Sequence, residues 1–125
     1  MAKDFRELLV EATRSEKWGR AFHEINVQGM FSLSVQASDC HGSIPAETLD
    51  DVYAYQAFEV QLSQKTVNFI EMPGYGAWNE LSKKDWAQRF ERGYIAGIME
   101  AVEVPVEVVQ QIYEDLDDYA NEHVM

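Results

Sequence analysis

The sequence predicts a single α+β domain over residues 1–125, a small antiparallel sheet of three to four strands packed by N-terminal and C-terminal helices. Three observations predict it. The chain has 125 residues, 46% hydrophobic and 12% aromatic, enough apolar side chains to bury a core without disulfides or metals. Two stretches alternate with the period of two that marks a half-buried strand: Phe31, Leu33 and Val35 interleaved with Ser32, Ser34 and Gln36, then Phe58, Val60 and Leu62. Near the C-terminus Val109, Ile112, Leu116, Tyr119 and Ala120 recur at helical spacing.

In chain order, Asp4 with Glu7 has capping-box spacing, and Phe5, Leu8, Leu9 and Ala12 follow at helical intervals, which predicts an opening helix. Ser15 is placed to cap a second helix whose apolar face is Trp18, Ala21, Phe22 and Ile25, ending before Gly29. Strands over 31–36 and 57–63 flank a turn-rich stretch from Asp39 to Pro45. Val67 and Phe69 supply a third short strand, with a hairpin turn at Ser63-Gln64-Lys65. Ser82 and Asp85 repeat the capping-box spacing ahead of Trp86 and Phe90, predicting a helix over 83–92 that stops at Gly93. Residues 94–104 read as a strand, with helix as the alternative: Ile98, Val102 and Val104 suit a strand, and Gly93 and Gly97 weaken a helix. Pro105 then sits where a helix favours proline, with Glu107 in the anion-favouring first turn of the last helix.

Charge is distributed unevenly. The formal net charge is -12: residues 1–29 sum to zero, 30–64 to -5, 65–92 to +1 and 93–125 to -8. The last segment carries Glu100, Glu103, Glu107, Glu114, Asp115, Asp117, Asp118 and Glu122 with no Lys or Arg. All ten basic residues lie between Lys3 and Arg20 or between Lys65 and Arg92, so a dipolar molecule results if these blocks fold onto separate faces. A pI near 4.5 excludes direct binding to nucleic acid, which needs clustered Lys and Arg, and disfavours anionic membranes. No apolar run reaches the roughly 20 residues of a membrane span. The start lacks a signal-like apolar core, and Cys40 is alone. Both fit a cytoplasmic chain in a reducing compartment.

On the last helix Glu107, Glu114, Asp118 and Glu122 project to one side, opposite the apolar stripe, with Gln111 between them. No Lys or Arg at four-residue spacing relieves them, and those near the C-terminal end oppose the helix dipole. A solvated, solubilising face is one reading. The other is an electrostatic decoy: Glu107, Glu114, Asp115, Asp118 and Glu122, joined by Asp39, Asp50 and Asp51, offered to a basic groove that normally holds nucleic acid. Tyr75 and Trp78, in the loop Met72-Pro73-Gly74-Tyr75-Gly76-Ala77-Trp78, either pack inward or anchor an interface. Cys40 and His41 beside Asp39 place nucleophile and base types in one turn, but sequence neighbours seldom face one another and no second base accompanies them. No catalytic role is expected. His23, His41, His123 and Cys40 have no metal-ligand spacing, and no phosphate-cradling Gly-Lys-Ser/Thr motif occurs. No metal or cofactor is expected. His123 is placed as a cation at the helix C-terminus.

Ser34-Val35-Gln36 with His41, Pro45-Ala46-Glu47-Thr48, Phe58-Glu59-Val60 and Val104-Pro105-Val106-Glu107-Val108-Val109-Gln110 together resemble small accessory proteins of bacteriophages and mobile elements. In size and acidity the chain is similar to phage-borne inhibitors of bacterial defence, the anti-CRISPR and anti-restriction proteins. That resemblance implies a nucleic-acid-binding host protein as partner, a CRISPR or restriction component, met in the host cytoplasm. The alternative is an immunity protein or secretion chaperone that holds one cognate protein through apolar and aromatic contacts.

Overall fold

The alternating stretches form the centre of a five-stranded antiparallel sheet in the computed structural model, which describes residues 3–17, 19–65, 77–95 and 97–123. Its strands are β3 (Ile25–Val27), β4 (Phe31–Gln36), β5 (Ala57–Gln64), β6 (Glu91–Arg92) and β7 (Ile98–Pro105), in the order β3-β4-β5-β7-β6. A separate two-stranded sheet pairs β1 (Glu11–Ser15) with β2 (Gly19–Phe22). The α-helices among the described residues are the single turn α1 (Trp78–Leu81) and the long α2 (Val106–Glu122).

Central register follows from which side chains must be dry. Leu33 opposes Leu62 and Val35 opposes Val60, so the apolar residues of β4 and β5 share one face. Val109, Ile112 and Leu116 of α2 close over that face and join the same core as Phe5, Phe31, Phe58 and Leu81, and Ala120 is buried one turn further on. Fully burying a Leu, Ile or Phe contributes roughly 1.5–3 kcal/mol, so this one helix face secures much of the fold. Pro105 ends β7 and occupies the N-cap position of α2, a site where its missing N–H costs nothing.

Two turns depart from common chemistry. Gln28 (φ 52°) and Gly29 (φ 75°) make a type I′ turn between β3 and β4. Glutamine is unusual there, and its reason lies across the molecule: Gln28 Nε2 donates to Asp117 Oδ1 and Asn121 Oδ1, both at 2.8 Å, docking the turn onto α2. In β7, Glu103 (φ 51°) sits where the register with β5 shifts, and its N–H donates to Gly42 O at 2.8 Å.

Several expected elements differ. The opening helix is only a 3₁₀ turn, Phe5–Leu8, although Asp4 does cap it by accepting from the Arg6 N–H. The second helix is absent among the described residues: Ser15 ends β1, and Ala21, Phe22 and Ile25 lie in β2 and β3, while Trp18 lies outside the described residues. Every residue of β1 is exposed, so no burial rhythm marks it, and its extended form is imposed by pairing with β2. Phe22 and Ile25 fell at helical spacing because a two-residue corner separates their strands. The helix over 83–92 is a 3₁₀ segment, Asp85–Arg89, followed by β6, and Ser82 ends α1 instead of starting a helix. The strand read over 94–104 is present as β7 from Ile98 onward, while Tyr94 and Ile95 lie outside it. The short strand around Val67 and Phe69 lies outside the described residues, as does the far side of the turn expected at Ser63-Gln64-Lys65.

Candidate functional site

The solvent side of α2 is built by elimination, since each flank of the helix is already in use. On one flank Gln110 works as a clasp: its Oε1 accepts the Phe5 N–H at 2.9 Å, while its Nε2 donates to Lys3 O at 2.8 Å and to Glu114 Oε2 at 2.9 Å. Asp117 and Asn121 continue that flank and hold Gln28. On the other flank Asp115 accepts from the Trp86 indole N–H at 2.8 Å and from Gln111 at 2.9 Å, which fixes the Asp85–Arg89 segment beside the helix. Those acids therefore serve the fold first.

What remains is a narrower set. Glu107, Asp118 and Glu122 are exposed, accept no hydrogen bond and form no ion pair among the described residues. At about 1.5 Å per residue they extend along roughly 22 Å of the helix. Glu107 lies in the first turn, where the helix dipole favours it, whereas Asp118 and Glu122 lie toward the opposite end. His123 closes that end: its Nδ1 lies 2.8 Å from Tyr119 O and its ring stacks on Tyr119 at 3.9 Å.

A groove separates α2 from the segment that carries α1 and the 3₁₀ turn. It has two hollows, of about 140 Å³ beside Glu80, Lys84, Asp118 and Glu122, and about 240 Å³ beside Asp85, Arg89 and Glu107. The basic block therefore does not lie on a separate face. Lys84 and Arg89 line the groove opposite the α2 carboxylates without reaching ion-pair distance, so they soften the negative field without cancelling it. Sequence reasoning missed both, because a cation brought close by tertiary packing has no fixed spacing from its partner. Their signal was the Lys83-Lys84 pair and Arg89 in an otherwise acidic C-terminal half.

The remaining acids lie on the segment between β4 and β5, where each is engaged locally. Asp39 Oδ1 accepts from the Thr48 hydroxyl at 3.3 Å, Asp50 pairs with Arg14 at 3.1 Å, and Asp51 caps the 3₁₀ turn Val52–Ala54 through the Tyr53 N–H. All three are exposed. No hydrogen bond or ion pair joins them to the α2 carboxylates. Of the two aromatic anchors, Tyr75 lies outside the described residues, and Trp78 is half-buried against Trp86 and Phe90 at 6.2 and 6.4 Å between ring centres. Among the described residues the exposed aromatics are instead Tyr53, half-exposed, and Tyr94, fully accessible beside the 64% exposed Ile95 in the turn between β6 and β7.

Cys40 and His41 do not face one another. Cys40 Sγ lies 3.8 Å from Lys17 O, whereas His41 Nδ1 is 2.6 Å from the Oγ of buried Ser38. Partial desolvation and the Asp39 carboxylate push the Cys40 thiol above its ordinary value, away from the thiolate a nucleophile needs. Among the described residues no cluster of His, Cys, Asp and Glu is arranged to hold a metal ion, and no helix is long and apolar enough to cross a membrane. No protein-family model, curated protein or solved structure matches the chain.

Proposed function

We propose that the protein binds another protein through the solvent face of α2, as a phage-type inhibitor of a bacterial defence system, anti-CRISPR or anti-restriction. Its carboxylates would fill a basic groove that otherwise holds nucleic acid. The observation that carries the proposal is the set Glu107, Asp118 and Glu122, exposed on one helix face with no protein partner. Carboxylates carried on a helix that is packed by its opposite side are presented on a backbone that is already ordered, so binding costs only the ordering of their side chains. Glu114 adds charge at the edge of the set while it holds Gln110.

Binding of this kind weakens steeply with salt, since the attraction is screened within about 8–10 Å at physiological ionic strength. The test is the affinity of the captured partner for wild type and for the Glu107→Lys/Asp118→Lys/Glu122→Lys variant, across a salt series. We expect the variant to lose at least about tenfold in affinity at low salt and the wild type to converge on it at high salt. Equal affinities at low salt would overturn the proposal.

Tyr94 and Ile95 favour a second reading, the immunity protein or secretion chaperone, because a fully exposed aromatic beside an aliphatic residue is the form of an interface anchor. Binding on that reading survives high salt and is lost in Tyr94→Ala.

A further inference from the structure

Among the described residues Arg20 is the largest fully buried side chain, 2% exposed, and no carboxylate among them balances its charge. Its guanidinium binds neutral acceptors instead, donating to Leu49 O at 2.5 Å, Ala37 O at 2.6 Å and Tyr55 Oη at 2.9 Å, while its Nε has no partner. The ring of Phe22 covers it at 4.4 Å. Tyr55 extends the arrangement, its hydroxyl donating to Glu47 O at 2.5 Å and accepting the Leu49 N–H at 2.7 Å. The two side chains thus gather the carbonyls of Ala37, Glu47 and Leu49 within residues 37–55, the segment that carries Asp39, Asp50 and Asp51.

Ala37 and Tyr55 at the two ends of the segment pack into the core of the sheet, with the Tyr55 ring 5.4 Å from that of Phe58 and Leu49 against the same core, and between these points few other contacts hold it to the sheet. Ile44 bridges to Ala57, Gly42 O accepts from Glu103, and Gly42 N–H donates to the Glu59 carboxylate at 3.1 Å. We infer that residues 37–55 form a flap that opens as one unit while the five-stranded sheet stays folded, and that Arg20 with Tyr55 is its latch. An unbalanced buried cation suits a latch: its hydrogen bonds stabilise the closed flap, and water would solvate the charge on opening, which keeps the two states close in free energy.

The experiment is amide hydrogen exchange under increasing sub-denaturing urea, followed residue by residue. In wild type, the Ile44 and Leu49 amides and the Gln56 amide that donates to Ile44 O should exchange on one shared isotherm, faster and with a weaker urea dependence than Val35, Val60 and Ile112. In Arg20→Met and, independently, Tyr55→Phe, the flap amides should exchange about ten- to a hundredfold faster, approaching unfolded-chain rates, while the sheet amides keep measurable protection. Tyr55→Phe leaves β2 untouched and keeps the test sound if Arg20→Met does not fold. The inference is overturned if the flap and sheet amides share one isotherm in wild type, or if the flap keeps its protection in Tyr55→Phe.

Discussion

Asp115 shows how a residue chosen by charge can belong to the fold. It supplies the acceptor for the indole N–H of buried Trp86, so Asp115→Ala should cost about 1–3 kcal/mol by leaving that donor unpaired. Asp115→Asn retains an acceptor oxygen while removing the charge, and should cost less than about 1 kcal/mol. Urea unfolding midpoints at unchanged slope would measure both. Gly19 is the other position where one atom decides. Its φ is +76°, and an added Cβ would lie 2.6 Å from Ser38 Oγ. Gly19→Ala should therefore destabilise by about 2–4 kcal/mol, from left-handed backbone strain and a clash with a buried hydroxyl together. A cost below about 1 kcal/mol would mean the turn into β2 is looser than described.

Elements were legible where burial imposed a rhythm. The strands at Phe31–Gln36 and Ala57–Gln64 each have one buried apolar and one more accessible polar face, and the helix Val106–Glu122 one dry and one wet face, and a period of 2 or 3.6 follows directly. The N-terminal third lacks that rhythm, because β1 is wholly exposed and β2 is almost wholly buried. Asp4 was read correctly as a cap and incorrectly as the cap of a long helix, since capping chemistry serves a 3₁₀ turn as well. The same residue gives this segment a pH dependence. Hydrogen bonds from the Arg6 side chain, aided by its backbone N–H and charge and opposed by partial burial, hold the Asp4 carboxyl below its ordinary value of 3.8. A depressed carboxylate contributes stability that is complete above the unfolded pKa and is lost as pH falls through the folded one. Wild type should thus exceed Asp4→Asn in stability by a constant amount from pH 7 to about 5, and the difference should shrink below about pH 4. A difference that persists unchanged to pH 2 would assign the effect to something other than this ion pair.

Over the whole molecule, the candidate site was legible as a helix face and illegible as a surface. Helical projection placed Glu107, Asp118 and Glu122 together from sequence alone, because residues on one helix keep their relative angles in any fold. It had no means of showing that Glu114, Asp115 and Asp117 hold Gln110, Trp86 and Gln28, or that Lys84 and Arg89 face the helix across a groove. Tertiary packing thereby ties Glu114, Asp115 and Asp117 to neutral donors and leaves, among the described residues, three unpartnered carboxylates on α2 bordered by two cations, with Glu103 of β7 unpartnered elsewhere. The negative surface is smaller and more mixed than the -8 of residues 93–125 suggests, which favours a partner surface with a few placed basic residues over one that reads a continuous line of charge. The most direct test is parallel affinity capture from host lysate by wild type and by the Glu107→Lys/Asp118→Lys/Glu122→Lys variant, at low and high salt, with partners identified by mass. The account predicts one predominant nucleic-acid-binding protein, held by wild type at low salt and absent from both the high-salt and the variant captures. A partner retained by the triple variant, or by wild type through high salt, would contradict it.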